Sequence, residues 1–176
     1  MATTKWALDP THSELQFKVK HLMITTVTGS FQDLTAELTT EDDTFENATS
    51  SFTAQVGSIS TGNADRDGHL KTGDFFDAEQ FPTITFASTS FTKSGDDFKL
   101  AGDLTIKGVT KPVVLNVEFG GIATDPWGNT KAGFSINGKI NRGDFGLTYN
   151  AALETGGVML GDEIKLLGEL QFAKQA

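Results

Sequence analysis

Cysteine is absent from this 176-residue chain, so neither a disulfide framework nor thiolate chemistry contributes to its fold or function. Long apolar runs are also missing, because no stretch approaches the roughly 20 apolar residues that a membrane-spanning helix needs. Proline occurs only four times, and no Pro- or Ser-rich linker divides the sequence. These absences predict a single domain, residues 1–176, without an integral membrane segment.

Basic residues are also few, relative to the acidic ones. Fourteen Lys and Arg stand against 23 Asp and Glu, which gives a formal net charge of -9 at pH 7. Nucleic acids and anionic membranes attract proteins through clustered Lys and Arg. The charge balance therefore argues against nucleic acid, and against an anionic membrane as a standing partner. No positively charged segment followed by an apolar one opens the sequence, which as given predicts a cytoplasmic protein; a removed signal peptide would instead fit a periplasmic one.

Residues that suit strands and turns are abundant, with 14 Phe and 19 Gly. Short connections with turn residues favour antiparallel hairpins, and we predict an all-β fold, an eight-stranded antiparallel barrel. A jelly roll or a sandwich with a filled core is the alternative, and the short sequential connections favour the barrel. The apolar and polar residues alternate with period two in the predicted strands, which are residues 14–25, 29–39, 46–59, 82–91, 97–107, 111–120, 130–141 and 162–173.

Small residues recur on the apolar faces of these strands, as where Ala54 lies between Phe52 and Val56. A solid core has bulky side chains at nearly every inward position. The pattern therefore predicts a long apolar lumen, which would take an apolar ligand. We expect ligand contacts from residues on the inward faces and in one long loop, namely Phe17, Val19, His21, Met23, Phe52, Ala54, Phe75, Phe76, Phe86, Leu100, Phe134 and Ile136.

Two connections are long, residues 60–81 and 142–161, and long loops in compact domains often serve as lids. The first is expected to contain short helical segments, with Asn63 as an N-cap and a second turn starting at Asp74. Phe75 and Phe76 lie side by side in this loop and need an apolar surface to cover. The mouth of a barrel would provide that surface.

Polar residues allow more than one interpretation. Asp65, Asp67 and His69 could bind a metal or form an acid–base pair, but capping of a helix N-terminus explains the acids without further assumptions. His21 is either a satisfied core residue or a polar contact for a ligand head group. Arg142, in an Arg-Gly-Asp triplet, is expected to pair with a loop acid.

Several segments together resemble the YceI-like family of polyisoprenoid-binding, lipocalin-like proteins. The resemblance begins with Trp-Ala-Leu-Asp-Pro-Thr-His-Ser at residues 6–13 and continues in order through nearly the whole chain. The further matching segments are residues 20–23, 29–31, 65–70, 75–78, 81–86, 102–113, 125–128, 141–147 and 160–164.

The resemblance implies a lipocalin-like barrel with a long apolar tunnel that holds a polyprenyl phosphate, a quinone, or a fatty acid or amide. It implies non-enzymatic binding, sequestration or transport, a link to stress response, and a homodimer. It supplies no catalytic residues, no metal site and no cofactor other than the bound lipid. The alternatives are an enzyme that acts on an isoprenoid or acyl substrate through the Asp65/Asp67/His69 cluster, and a protein with a filled core and no ligand.

Overall fold

The structure, a computed structural model, describes residues 3–22, 24–41, 44–147 and 160–175. These residues form eleven strands and one α-helix, α1 (Ala64–Leu70). The strands in chain order are β1 (Thr3–Leu8), β2 (Glu14–His21), β3 (Thr25–Phe31), β4 (Leu34–Glu41), β5 (Thr44–Gln55), β6 (Ile59–Ser60), β7 (Thr83–Ser94), β8 (Asp97–Ile106), β9 (Val109–Thr124), β10 (Thr130–Asn141) and β11 (Glu163–Lys174).

All strands belong to one antiparallel sheet that closes into a barrel. Three long strands are each interrupted once, and each is therefore numbered as two strands. A 3-10 turn over Pro10–His12 separates β1 from β2, residues 32–33 separate β3 from β4, and a 3-10 turn over Val56–Ser58 separates β5 from β6. When each such pair is counted as one strand, the described residues form eight antiparallel strands in sequence order, and β11 closes the ring by pairing with β1 and β2. This arrangement confirms the predicted barrel and excludes the sandwich and the jelly roll.

Two local expectations differ from the structure. β1 lies outside the strands predicted from the sequence, yet it pairs with both β4 and β11 and buries Trp6. In the long loop, α1 begins after Asn63, whose side chain accepts a hydrogen bond from the Arg66 amide, as predicted. The second turn expected at Asp74 is present, because residues 73–76 adopt a turn, but no second helical segment follows α1 among the described residues of this loop.

An aromatic cluster fills one end of the barrel, which we call the aromatic end. The rings of Phe91 and Phe98 stack with centroids 4.5 Å apart, and Phe45 meets Phe134 edge-on at 5.3 Å. Trp6 packs on Phe45 at 5.4 Å and is 3% exposed. Aromatic pairs in such geometries stabilise a core beyond the area that they bury.

The opposite end, which we call the helix end, has a different construction. β6 pairs with β3 but not with β7, so that the described strands leave the wall open there. α1 and the turns after it lie against this opening, and Lys107 in the β8–β9 turn donates a hydrogen bond to the Gly73 carbonyl at 2.9 Å. Leu70 and Phe76 pack on the cluster that contains Phe145. The helix end is therefore covered by loop residues rather than by strands.

Asp9 fixes the interruption between β1 and β2. Its carboxylate accepts hydrogen bonds from the Thr11 hydroxyl at 2.6 Å, from His12 Nδ1 at 2.9 Å and from Lys131 Nζ at 3.0 Å. The Thr11 hydroxyl, followed by His12 and Lys131, holds the pKa of Asp9 well below its usual range. The carboxylate thus ties the bend to β10.

We expect Asp9→Asn to lower the free energy of unfolding by about 1–2 kcal/mol at pH 7, because hydrogen bonds to a charged acceptor are lost. A depressed folded-state pKa gives stability that is present above the unfolded pKa, near 4, and is lost as the pH falls further. Thermal melts of both proteins should therefore converge below about pH 4. A difference in melting temperature that stays constant as the pH falls from about 4 towards the lowered pKa of Asp9 would contradict this role.

Candidate functional site: the lumen

A cavity of about 310 Å³ occupies the interior of the barrel. Ligand pockets in proteins typically measure about 300–1,000 Å³. The side chains around the cavity come from most strands of the barrel, from α1 and from the turns that follow it. Most of them are aliphatic or aromatic, which makes this an apolar site.

Ten of the twelve residues predicted to contact a ligand line this cavity, and whether they contact a ligand stays a prediction. Met23 lies outside the described residues. Ala54 is fully buried beside Val56 in the packed core and does not line the cavity. The ten residues at the cavity are Phe17, Val19, His21, Phe52, Phe75, Phe76, Phe86, Leu100, Phe134 and Ile136.

The sequence pattern suggested that inward glycines leave empty space at their own positions. In the structure, large side chains from neighbouring strands occupy that space. A Cβ added at Gly29 would overlap the ring of Phe17, and one added at Gly168 would lie 2.7 Å from Ile136 Cγ1. Gly102 is covered in the same way by Phe86. Because these large side chains lie flat across glycines along the wall, they project less towards the barrel axis. Pairs of a large side chain and a glycine therefore contribute to the shape of the lumen, beside small lining residues such as Ala36 and Ala48.

The ligand contacts expected from the sequence leave out many lumen residues that follow the same alternation. The period-two pattern identifies most of them, because each lies two residues from a predicted contact or on the corresponding face of a neighbouring strand. They include Leu15, Val27, Phe31, Ala36, Leu38, Ala48, Ile84, Leu104, Leu115 and Leu166.

Charged and imidazole side chains reach the cavity, within the described residues, only at the helix end. His21 ends β2 and bridges to Leu160, Arg66 and His69 belong to α1, and Arg142 follows β10. An apolar pocket with a few polar groups at one end is the usual arrangement for orienting an amphiphile. The lumen therefore has an apolar interior and one polar end.

Arg142 is the most buried of these groups, with 4% of the residue exposed. Its Nη1 donates to the Leu147 carbonyl at 2.7 Å and its Nε to the Gly161 carbonyl at 2.9 Å. Burial lowers the pKa of Arg142, whereas the charge of Asp162, 3.9 Å away, opposes that shift. An arginine keeps its charge under such conditions, so the group contributes a fixed positive charge at the cavity wall.

In the Asp65/Asp67/His69 cluster of the long loop, Asp67 and His69 each contact a different neighbouring residue of the loop. Asp67 Oδ1 accepts hydrogen bonds from the amide of Thr61 at 2.8 Å and from its hydroxyl at 2.6 Å. His69 Nε2 lies 2.8 Å from a carboxylate oxygen of Asp74, and Asp65 lies exposed in the first turn of α1. No set of three or more potential metal ligands is grouped together in the part of the chain that the structure describes.

Phe75 and Phe76 both line the cavity at the helix end. Phe75 is 7% exposed and meets the His69 ring edge-on at 5.1 Å, and Phe76 meets Phe31 edge-on at 6.1 Å. The position of both rings in a turn, rather than in a strand, fits the lid predicted from the sequence. That role itself stays a prediction.

Replacing Phe76 with Ala is expected to increase the rate of ligand release roughly tenfold, because the lid loses buried apolar contacts. Release is measured by stopped-flow transfer of a fluorescent fatty acid to an acceptor. Phe119→Ala is the matched control, because Phe119 packs on Phe45 and Phe134 at the aromatic end. Equal rates of release from the two variants would contradict the lid role.

An eight-stranded antiparallel barrel with an apolar lumen and one polar end defines a lipocalin-like class of ligand-binding barrels. The YceI-like domain model matches residues 6–172, and the chain belongs to that family. A UPF0312 protein of Staphylococcus aureus is 41% identical over 171 residues, which cover 97% of this chain and 98% of the relative.

Solved structures agree with the fold. A Campylobacter jejuni YCEI protein is 36% identical with a TM-score of 0.75 and covers 89% of this chain and 90% of its own. Burkholderia cenocepacia BcnA, at 21% identity, has a TM-score of 0.78 over 93% of this chain and 98% of its own. A polyisoprenoid-binding domain from Saccharophagus degradans, at 16% identity, has a TM-score of 0.70 over 97% and 98%. The last two similarities concern the fold alone.

Within the described ranges, no helix combines the length and the apolar character that crossing a bilayer would require.

Proposed function

We propose that this protein binds one long-chain amphiphilic lipid, an isoprenoid or a fatty acid, and sequesters or carries it without catalysing a reaction. The observation that carries the proposal is the apolar cavity of about 310 Å³ whose charged and imidazole lining groups, within the described residues, are confined to the helix end. The ligand chain lies in the lumen, and its head group lies near His21, Arg66 and Arg142.

Burial of alkyl groups supplies the affinity. Each buried methylene contributes about 0.8 kcal/mol before the losses from ordering the chain. Arg66 and Arg142 add positive charge beside the head group, which favours a phosphate or a carboxylate over a neutral group. Family membership and the name of the Saccharophagus degradans domain support an isoprenoid, whereas a fatty acid fits the same cavity chemistry.

A homologous series of alkyl carboxylates tests the proposal. We expect the dissociation constant to fall by up to about fourfold for each added methylene until the lumen is filled. Isothermal titration calorimetry on the delipidated protein measures this dependence. A dissociation constant that does not change with chain length, or no binding of any member of the series, would refute lipid binding in the lumen.

A further inference from the structure

A row of lysines crosses the outer wall of the barrel near the helix end. Lys18 on β2 lies directly opposite Lys165 on β11, which lies directly opposite Lys139 on β10. Lys20 follows on the outer face of β2, with Gly161 beside it. Like charges in opposite positions of a sheet are destabilising. A lysine row, Lys18, Lys20, Lys139 and Lys165, in a protein of net charge -9 therefore calls for a functional explanation.

Few acids neutralise the lysine row. Glu163 lies 3.7 Å from the Lys139 ammonium, and Asp162 is engaged with Arg142. Among the described residues, the other three lysines have no carboxylate within salt-bridge distance. β2 and β11 also place two acids opposite each other, Glu14 and Glu169, but this pair lies towards the middle of the barrel. Positive charge is thus concentrated on the outer wall near the helix end.

Exposed apolar residues continue this surface. β2 leads into a hairpin tip in which Leu22 is 37% exposed and Ile24 is 77% exposed. Leu22 has a φ of 55°, a left-handed conformation that Gly or Asn adopts more easily than Leu. The adjacent His21 lines the cavity. The apolar tip therefore stands immediately beside the polar end of the lumen.

We propose that the lysine row and the tip residues Leu22 and Ile24 form a docking surface for a bilayer that contains anionic lipids. The proposal rests on the lipid-binding function proposed above, because a lumen that takes a membrane lipid must meet the bilayer. The lysines face the anionic head groups, and the apolar tip enters the boundary between head groups and acyl chains. Exposed acids at the helix end, among them Asp65, Asp74 and Asp162, are repelled by the same membrane, which keeps docking brief.

Vesicle co-sedimentation of the purified full chain tests the charge component, with phosphatidylcholine vesicles prepared with and without phosphatidylglycerol. We expect binding at low ionic strength only to the vesicles with phosphatidylglycerol. Lys18→Gln/Lys165→Gln should weaken that binding roughly 25-fold, at about fivefold per lysine. Lys5→Gln/Lys93→Gln changes the net charge equally near the aromatic end and should have less than about a twofold effect.

A second pair of variants tests the apolar component. Ile24→Ser should weaken binding to the same vesicles roughly tenfold, because most of one isoleucine side chain no longer enters the bilayer. Trp127→Ser removes a larger exposed apolar side chain, 83% exposed in the β9–β10 turn, and should leave binding unchanged. Circular dichroism melts confirm that each variant is folded.

Lipid uptake from detergent micelles separates this proposal from the function on which it rests. If wild type and variants take up lipid equally from micelles, and only the lysine-row and tip variants lose vesicle binding, the docking surface is supported. Lipid uptake without vesicle binding by the wild type, or equal losses in the control variants, overturns the docking surface alone. A change in the sedimentation coefficient of the lysine-row variant, without vesicle binding, would assign the surface to a second copy instead. Absence of uptake from micelles overturns the lipid-binding function itself.

Discussion

Ala36→Phe is expected to weaken binding of a long-chain ligand roughly 50-fold, if its ring displaces about three methylenes at about 0.8 kcal/mol each. Ala36 is half-buried, lines the cavity and lies opposite Phe52 on β5. An aromatic ring at this position can extend into the lumen, so that the melting temperature of the ligand-free protein should stay within about 2 °C of the wild type. Titration with a fatty acid and thermal melts measure the two quantities.

Ala54→Phe is the matched control for this prediction. Ala54 is an inward alanine of the adjacent strand, but it is fully buried in the packed core and does not line the cavity. The same change should overpack the core and reduce the free energy of unfolding by about 1–3 kcal/mol. If Ala36→Phe destabilises the protein as much as Ala54→Phe and leaves affinity unchanged, the interior around Ala36 is packed rather than open.

Arg142→Met is expected to cause the largest loss of stability, about 3 kcal/mol, because two carbonyl groups lose a charged donor. Arg142 joins the beginning of the second long connection to its end through the carbonyls of Leu147 and Gly161. For a chain of this size the melting temperature should fall by about 6–12 °C. Arg142→Lys should restore only part of the loss, because an ammonium cannot reproduce the fork of the guanidinium.

Arg66→Met provides the comparison, since Arg66 is the other arginine of the chain and also lines the cavity. Arg66 is exposed, and within the described residues its guanidinium donates only to Thr61, at 2.7 Å to the hydroxyl and 2.8 Å to the carbonyl. Its replacement should cost less than about 1 kcal/mol. Equal shifts in melting temperature for the two variants would show that the burial of Arg142 does not increase its contribution to stability.

The barrel could be predicted because most of its strands carry their own alternation. In β10, the inward positions of Phe134, Ile136 and Ile140 are all apolar, and the structure places them at the lumen. β1 could not be recognised in this way, because six residues with one large buried side chain, Trp6, are too short to show a period. Its pairing with β11, at the far end of the chain, is a long-range contact that local patterns do not contain.

The open lumen was predicted from the small inward residues, but its physical origin differs from that prediction. Gly29 lies directly opposite Phe17, and Gly168 directly opposite Ile136, so each glycine accommodates the side chain of a neighbouring strand. This depends on strand register, which a period-two pattern does not define. Ala54 shows a second limit of the pattern. Alternation predicts that its side chain faces inward, but not whether that side chain lies beside the cavity or within the packed core.

The second long connection also exceeded what sequence alone could show. Arg142 was expected to pair with a loop acid, and the structure adds that it is buried at the cavity wall. Two of its hydrogen bonds go to backbone carbonyls, which have no signature in the amino-acid sequence. For the same reason Asp67, which binds the backbone and hydroxyl of Thr61, resembled a candidate for chemistry before its partners were known.

Native mass spectrometry of the protein purified without detergent, followed by organic extraction, tests the central claim most directly. We expect the wild type to carry one long-chain lipid per chain, and Ala36→Phe to carry markedly less of it. The extracted mass would identify the lipid. A wild-type protein that is found only at its polypeptide mass, and that takes up no long-chain lipid when it is offered in micelles, would contradict a lipid-binding lumen.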